Sequence, residues 1–262
     1  LVRYHHAGST ATLTMNRPEK RNALSADLVA SLKGTLAEAA EDPDVRVVVL
    51  TGAGKAFSAG ADLAALEALQ EATPMENRAD SEALAGLFEQ IYLFPKPVIA
   101  KINGHAIVGG CGLAAACDFA LAADGAKLGF TEVRIGFVPA IVAVFMVRKL
   151  GEAVVRDLLL RGRLVEASEA AGLGLIHQAV PADQLDEAVA SLADELATET
   201  SASALALTKR LLADVRGMGL GEALAYAVQA NAFARGTADC QAGIRAFLAK
   251  EPPPWKKEGF DV

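Results

Sequence analysis

The stretch Pro97–Asp118, PVIAKINGHAIVGGCGLAAACD, decides how the rest of the chain is read. Its β-branched run, Val98-Ile99-Ala100-Lys101-Ile102, predicts a short strand that meets the loop Asn103-Gly104-His105. Gly109-Gly110-Cys111-Gly112 then opens an Ala-rich helical segment ending near Cys117. Strand, glycine cluster and helix start together place bare backbone N–H groups at the positive end of a helix. Such a site holds an anion or a developing oxyanion.

Outward from this stretch the pattern is mixed β and α. Thr10–Met15 alternates like a strand and stops at Asn16-Arg17-Pro18. Ser25 caps a predicted helix running to about Glu41, with Leu28, Leu32 and Leu36 on one face. Residues 45–51 predict a buried strand, residues 52–62 a glycine-punctuated loop, and residues from Ala64 onward a helix. Residues 70–82 are polar and carry Pro74, so a mobile surface loop is expected there. A helix over 83–94 is ended by Pro95 and Pro97. Beyond Asp118, a strand is expected over 119–122, a short strand and loop over 128–136, and a helix over 142–150. Helices alone follow, over 185–199, 203–215, 220–235 and 237–249. Alternating β and α followed by helices predicts an α/β core with a helical C-terminal part. No internal repeat is visible, and Pro252-Pro253-Pro254-Trp255 ends the regular structure.

Composition narrows the class. The chain has 262 residues, 52% of them hydrophobic, enough for one large domain or a core with a small appendage. A net charge of −7 gives no basic footprint for nucleic acid. The cysteines Cys111, Cys117 and Cys240 form no CxxC pair, which suits a reducing compartment and argues against a disulfide scaffold or zinc cluster. No apolar run reaches membrane-span length. The first residues carry no charged-then-apolar leader pattern, although a start at Leu1 leaves a removed leader open.

Several motifs fail on inspection. Gly54-Lys55 suggests a phosphate loop, but Ala56 stands where Ser or Thr is needed and Val49 where the first glycine belongs. Gly110-Cys111-Gly112-Leu113-Ala114-Ala115 matches a loose dinucleotide fingerprint, yet residues 105–109 separate it from its strand. His5, His6, His105 and His177 are scattered without metal-ligand spacing; His105 alone lies near the glycine cluster, where a loop histidine satisfied by backbone is the expected reading. Ser58 lacks a nucleophile elbow, and Cys111 sits among apolar neighbours as a buried structural thiol would. Two glycine loops after strands remain, one over 55–63 and one over 104–112. Each can donate one backbone N–H to an oxyanion hole, or each is simply a tight, close-packed turn.

These segments carry a resemblance. Asn16-Arg17-Pro18 with Asn22-Ala23-Leu24, Ala56-Phe57-Ser58-Ala59-Gly60-Ala61-Asp62-Leu63, the 104–118 block, and Thr131-Glu132 with Gly136 are similar, in order, to the crotonase family of enoyl-CoA hydratases and isomerases. The resemblance covers most of the chain. It implies an α/β crotonase (ClpP-like) fold: a repeated ββα spiral core over 1–195 and a helical trimerisation region over 196–262. It implies an acyl-CoA thioester as substrate, a homotrimer or dimer of trimers, and a cytoplasmic protein without nucleic-acid or membrane partners. No cofactor or metal is implied, CoA being part of the substrate. The backbone N–H groups of Ala61 and Gly109 would hold a thioester enolate oxygen. Arg21, Lys55, Ala59, Asp62 and Leu63 occupy CoA-contacting positions: Ala59 and Leu63 backbone at the adenine, Lys55 or Arg21 at the phosphates. For Arg21 and Lys55, a solvated surface charge is an equal reading. Phe247 and Lys250 resemble positions that reach the CoA of the same or a neighbouring subunit.

The acids depart from the family pattern. Family hydratases place two glutamates at the double bond; Glu132 matches one, whereas Gly112 stands at the position of the other. The aspartate that some isomerases carry after Pro139 is also missing, Ala140-Ile141-Val142-Ala143 being apolar. Hydration of a 2-enoyl-CoA is the first expectation. A 3-enoyl to 2-enoyl shift by one carboxylate comes close behind, and a non-catalytic acyl-CoA binder is third. Glu67, Glu76 and Glu82 lie around the expected mobile loop, within reach of swinging in. That loop and the apolar 137–146 segment are expected to shape the acyl pocket.

Overall fold

The computed structural model describes residues 1–60, 62, 67–68 and 70–256. Among the described residues, ten strands form two sheets. The larger holds β1 (Val2–Ala7), β2 (Thr10–Met15), β3 (Val47–Gly52), β5 (Val98–Ile102), β7 (Phe119–Ala123) and β10 (Gln178–Val180) in the order β1-β2-β3-β5-β7-β10. The smaller has the order β4-β6-β8-β9, from β4 (Ala56–Ser58), β6 (His105–Ile107), β8 (Lys127–Gly129) and β9 (Leu164–Glu166). Among the described residues, only β1–β2 and β8–β9 pair antiparallel. Leu13, Leu50, Ala100 and Ala120 stand side by side across four strands of the large sheet.

A repeat emerges that the sequence does not display. β3 is followed at once by β4, β5 by β6, and β7 by β8. Each long strand thus hands the chain to a short strand of the second sheet before a helix returns it. The unit is one of topology, and nothing obliges its copies to share side chains.

The helices are α1 (Ala26–Glu41), α2 (Pro74–Tyr92), α3 (Gly109–Ala116), α4 (Ala140–Lys149), α5 (Glu152–Arg161), α6 (Ala167–Gly172), α7 (Leu185–Thr198), α8 (Ala202–Val215), α9 (Leu220–Arg235) and α10 (Ala238–Ala249). The continuous run Val47-Val48-Val49-Leu50 has a physical reason: β3 is buried on both faces. Val48 and Leu50 join the main core with Leu28, Leu32 and Leu36 of α1. Val47 and Val49 face Leu185, Val189, Ala193 and Leu196 of α7, which covers the other side of the sheet.

The expected loop over 70–82 is corrected by the structure. Helix α2 begins at Pro74 behind a capping box: Thr73 Oγ1 accepts from Glu76 N at 3.3 Å, and Thr73 N donates to Glu76 Oε2 at 2.8 Å. The segment is polar because its first turns face solvent; burial begins only at Leu87, Phe88 and Ile91. Helices α5 and α6 and strands β1, β6, β9 and β10 also lay outside the sequence reading, and β4 (Ala56–Ser58) lies inside the 52–62 stretch expected to be loop. The helix expected over 142–150 runs from Ala140 to Lys149.

Candidate active site

The first glycine loop is held by a polar frame. Asn22 is fully buried with φ 53°; its Nδ2 donates to Ala53 O (2.9 Å) and Ala56 O (2.8 Å), and its Oδ1 accepts from Arg17 N (3.0 Å). Ser58 Oγ donates to Asn22 O at 2.8 Å. Arg17 donates to Ala23 O at 2.8 Å and forms an ion pair with Asp62 at 2.9 Å. Arg17 and Asn22 were legible as a motif, but their role as a frame was not.

The second glycine loop closes on the first. A Cβ added to Gly60, whose φ is +88°, would lie 2.7 Å from Val108 Cβ and 3.3 Å from Gly109 N. Gly60 therefore sits against the N-terminus of α3. Every residue of α3 is buried. Its N-cap, Val108, has φ 56° and ψ −123°, a conformation that costs a β-branched residue on the order of 1–3 kcal/mol. Two bonds hold it there: Val108 N donates to Gly129 O at 2.8 Å, and Val108 O accepts from Gly112 N at 3.0 Å. Gly109 follows as the first residue of the helix, where an N–H has no intrahelical acceptor. No periodicity in the sequence signals a left-handed valine.

Glu132 opens a 3-10 helix, Glu132–Ile135, which ends at left-handed Gly136. The β6–β8 pairing aligns Ile107 with Gly129, so this helix starts three residues beyond the partner of the strand leading into α3. Glu132 is only 5% exposed, and among the described residues its buried Oε2 has no hydrogen-bond partner. Burial pushes the carboxyl above its ordinary range, partly opposed by its own backbone N–H. The carboxylate also acts on Cys111 in the first turn of α3, whose thiol burial pushes up to about 12. Cys111 is therefore an inert core thiol. A strongly buried acid with a vacant oxygen beside a helix N-terminus is equipped to move a proton next to a developing anion.

Gly112 is more than a missing side chain. A Cβ added there would overlap Val142 Cγ1 and lie 2.9 Å from Phe88 Cε2. Phe88 is itself stacked edge-on against Phe145 of α4, with ring centroids 5.7 Å apart. Apolar side chains from α2 and α4 thus fill the space a longer residue 112 would need. The other acids once in reach are occupied or turned away: Glu76 closes the α2 cap, and Glu82 pairs with Arg78 at 2.7 Å. Glu67 is exposed.

The remaining expected positions spread around the loops. Ala61 and Leu63 lie outside the described residues. Arg21, left-handed with φ 51°, and Lys55 are both exposed, and the N–H of Ala59 donates to Arg21 O at 2.9 Å. Asp62 is buried against Arg17. Phe247 is 82% exposed on α10, and left-handed Lys250 ends that helix. His105 is exposed at the start of β6 rather than in a loop, and its Nδ1 accepts from Lys127 N at 3.0 Å, so backbone satisfies it as expected. Among the described residues, no three His, Cys, Asp or Glu side chains group to hold a metal ion. No helix there is long and apolar enough to cross a membrane.

Two mostly parallel sheets, a buried carboxylate and a strained helix start characterise an α/β spiral fold. Comparison with known proteins gives that class its family. The sequence profile of the enoyl-CoA hydratase/isomerase family matches residues 5–258. A Thermus thermophilus protein named "Putative enoyl-CoA hydratase" is 49% identical over 246 residues, covering 94% of this chain and 97% of the relative. The crotonyl-CoA hydratase of Syntrophomonas wolfei is 34% identical, covering 92% of each chain. The crystal structure of an enoyl-CoA hydratase from Mycobacterium smegmatis superposes with a TM-score of 0.91 at 31% identity, covering 97% of this chain and 98% of that one. The chain belongs to the enoyl-CoA hydratase/isomerase family, a family of enzymes, and has the crotonase fold.

Proposed function

We propose that this protein is an enoyl-CoA hydratase that adds water to a 2-enoyl-CoA through a thioester enolate. The observation that carries the reading is Glu132, a buried carboxylate with one oxygen unpartnered beside the N-terminus of α3. Water adds at C3 while electron density moves onto the thioester oxygen, held by the backbone N–H groups of Gly109 and Ala61. Glu132 takes the proton from the water and delivers one to C2. Loss of one such N–H donor costs roughly 3–4 kcal/mol of transition-state stabilisation. Arg21 or Lys55 would meet the CoA phosphates, and the backbone of Ala59 and Leu63 the adenine. Asp62 would hold this loop through Arg17. Phe247 and Lys250 would reach the CoA of the same or a neighbouring subunit in a homotrimer or dimer of trimers. No cofactor beyond the substrate's own CoA is required, and three free cysteines suit a cytoplasmic setting.

A second reading is favoured by Val142 and Phe88. With apolar groups where a second carboxylate would hold water, one base suffices to remove a proton from C2 of a 3-enoyl-CoA and return it to C4. The double bond then moves to C2, and no water is consumed. The experiment is a panel of 2-enoyl and 3-enoyl thioesters in deuterated water, with and without Glu132→Gln. Hydration predicts 3-hydroxyacyl product from crotonyl-CoA; isomerisation predicts 2-enoyl product from the 3-enoyl thioester without net hydration. In either case Glu132→Gln should slow turnover by about 10²-fold or more. A folded wild-type protein that exchanges no α-proton with any thioester would be a non-catalytic acyl-CoA binder.

A further inference from the structure

Helix α3 is short and wholly buried, so what happens at one end is felt at the other. Eight residues span about 12 Å, and no water shell screens the dipole between the ends. Among the described residues, one lysine donates to the carbonyls at its C-terminal end, while Lys209 sits beside it on Asp118. Lys149, the last residue of α4, donates from Nζ to Ala115 O and to Cys117 O, each at 3.3 Å. Nearby Asp118 is otherwise engaged, accepting from Lys209 Nζ at 2.6 Å and from Val98 N at 2.8 Å. Among the described residues, Lys149 makes no salt bridge: its acceptors are carbonyls. A hydrogen bond to a carbonyl does not require a full charge, and burying an ammonium is costly. The location at the negative end of a helix is where that charge gains most.

We infer that Lys149 is a positioning residue for the enolate site, its ammonium balancing the negative end of α3 so that the positive end at Gly109 stays aimed at the substrate oxygen. The inference rests on the enolate reading of that N-terminus. Burial lowers the Lys149 pKa, and Cys117, Asp118 and Cys111 oppose that shift. A bond from α4 to the far end of α3 would also couple the wall that carries Val142 to the donor that meets the thioester.

The test compares Lys149→Met, close to Lys in shape and neutral, with Lys149→Gln, which keeps a hydrogen-bond donor without the charge. Both are assayed for α-proton exchange and turnover on crotonyl-CoA and a 3-enoyl-CoA, and for thermal stability. The expected result is kcat lowered about three- to tenfold in both variants with KM within about twofold. A normal kcat in Lys149→Gln beside a slow Lys149→Met would make the residue a hydrogen-bonding cap and overturn the inference. Unchanged kcat in both variants would overturn it too. So would failure of both variants to fold, because Lys149 would then serve the fold itself. Absence of exchange in the wild-type protein is a separate outcome, which defeats the enolate reading and this role with it.

Discussion

Glu132 is held where its charge is expensive. Its pKa is raised by burial, so the folded protein binds this proton more tightly than the unfolded chain. Ionisation therefore costs stability. The cost is absent below the ordinary glutamate range, grows as pH rises through the raised folded value, and is complete above it. Glu132→Gln removes the charge, so it should melt higher than wild type at about pH 8, and the gap should close near pH 4. Thermal melts at both pH values check this, and an equal gap at both would argue against a buried, ionised Glu132. Activity runs the other way, since the carboxylate must be ionised to accept a proton and turnover falls as pH drops through the same raised value. Thr131-Glu132 was readable in the sequence as a motif. The vacancy of Oε2 was not, because it depends on which groups the fold leaves out of reach. Gly112 behaves alike: the missing glutamate is plain from the letter, but the overlap with Val142 and Phe88 comes from helices distant in sequence.

At the scale of elements, α2 shows how composition misleads. Its first turns are polar and exposed, and Pro74 reads as a loop residue unless it is seen as the first residue of a helix. The signal was present in Thr73-Pro74-Met75-Glu76, a capping box with proline at N1. Thr73→Ala should cost about 1 kcal/mol, measured as a lower urea midpoint at unchanged m-value. No loss at all would mean that this end of α2 frays without consequence. Helix α7 was legible for the opposite reason: Leu185, Val189, Ala193 and Leu196 repeat at helical spacing, and all four are buried against the sheet. Strands β9 and β10, three residues each, are too short to carry any period.

At the scale of the molecule, the C-terminal helices are the conspicuous surface. Neither α8 nor α9 buries a residue, and Leu212, Leu224, Val228, Phe233, Phe247 and Leu248 are all exposed. Exposed apolar side chains in this number on neighbouring helices suit an association site, and a second and third copy of this chain are the occupants proposed above. Sedimentation should give the mass of a trimer or hexamer, and Leu224→Glu with Val228→Glu should lower it to that of one chain. A wild-type monomer at micromolar concentration would exclude this use of α9.

The sequence by itself determined the class. The strand–glycine–helix run at Pro97–Asp118 and the ordered motifs around it specify local backbone geometry, and geometry of that kind is written in neighbouring residues. It also singled out Glu132 and Gly109 as candidates. Only the tertiary structure decided how the site is completed: Val108 held left-handed by Gly129, Val142 and Phe88 filling the space beside Gly112, Lys149 on the far end of α3. Each of these joins segments tens of residues apart. Their contacts follow from how the two sheets and their helices pack, which no local period or motif encodes.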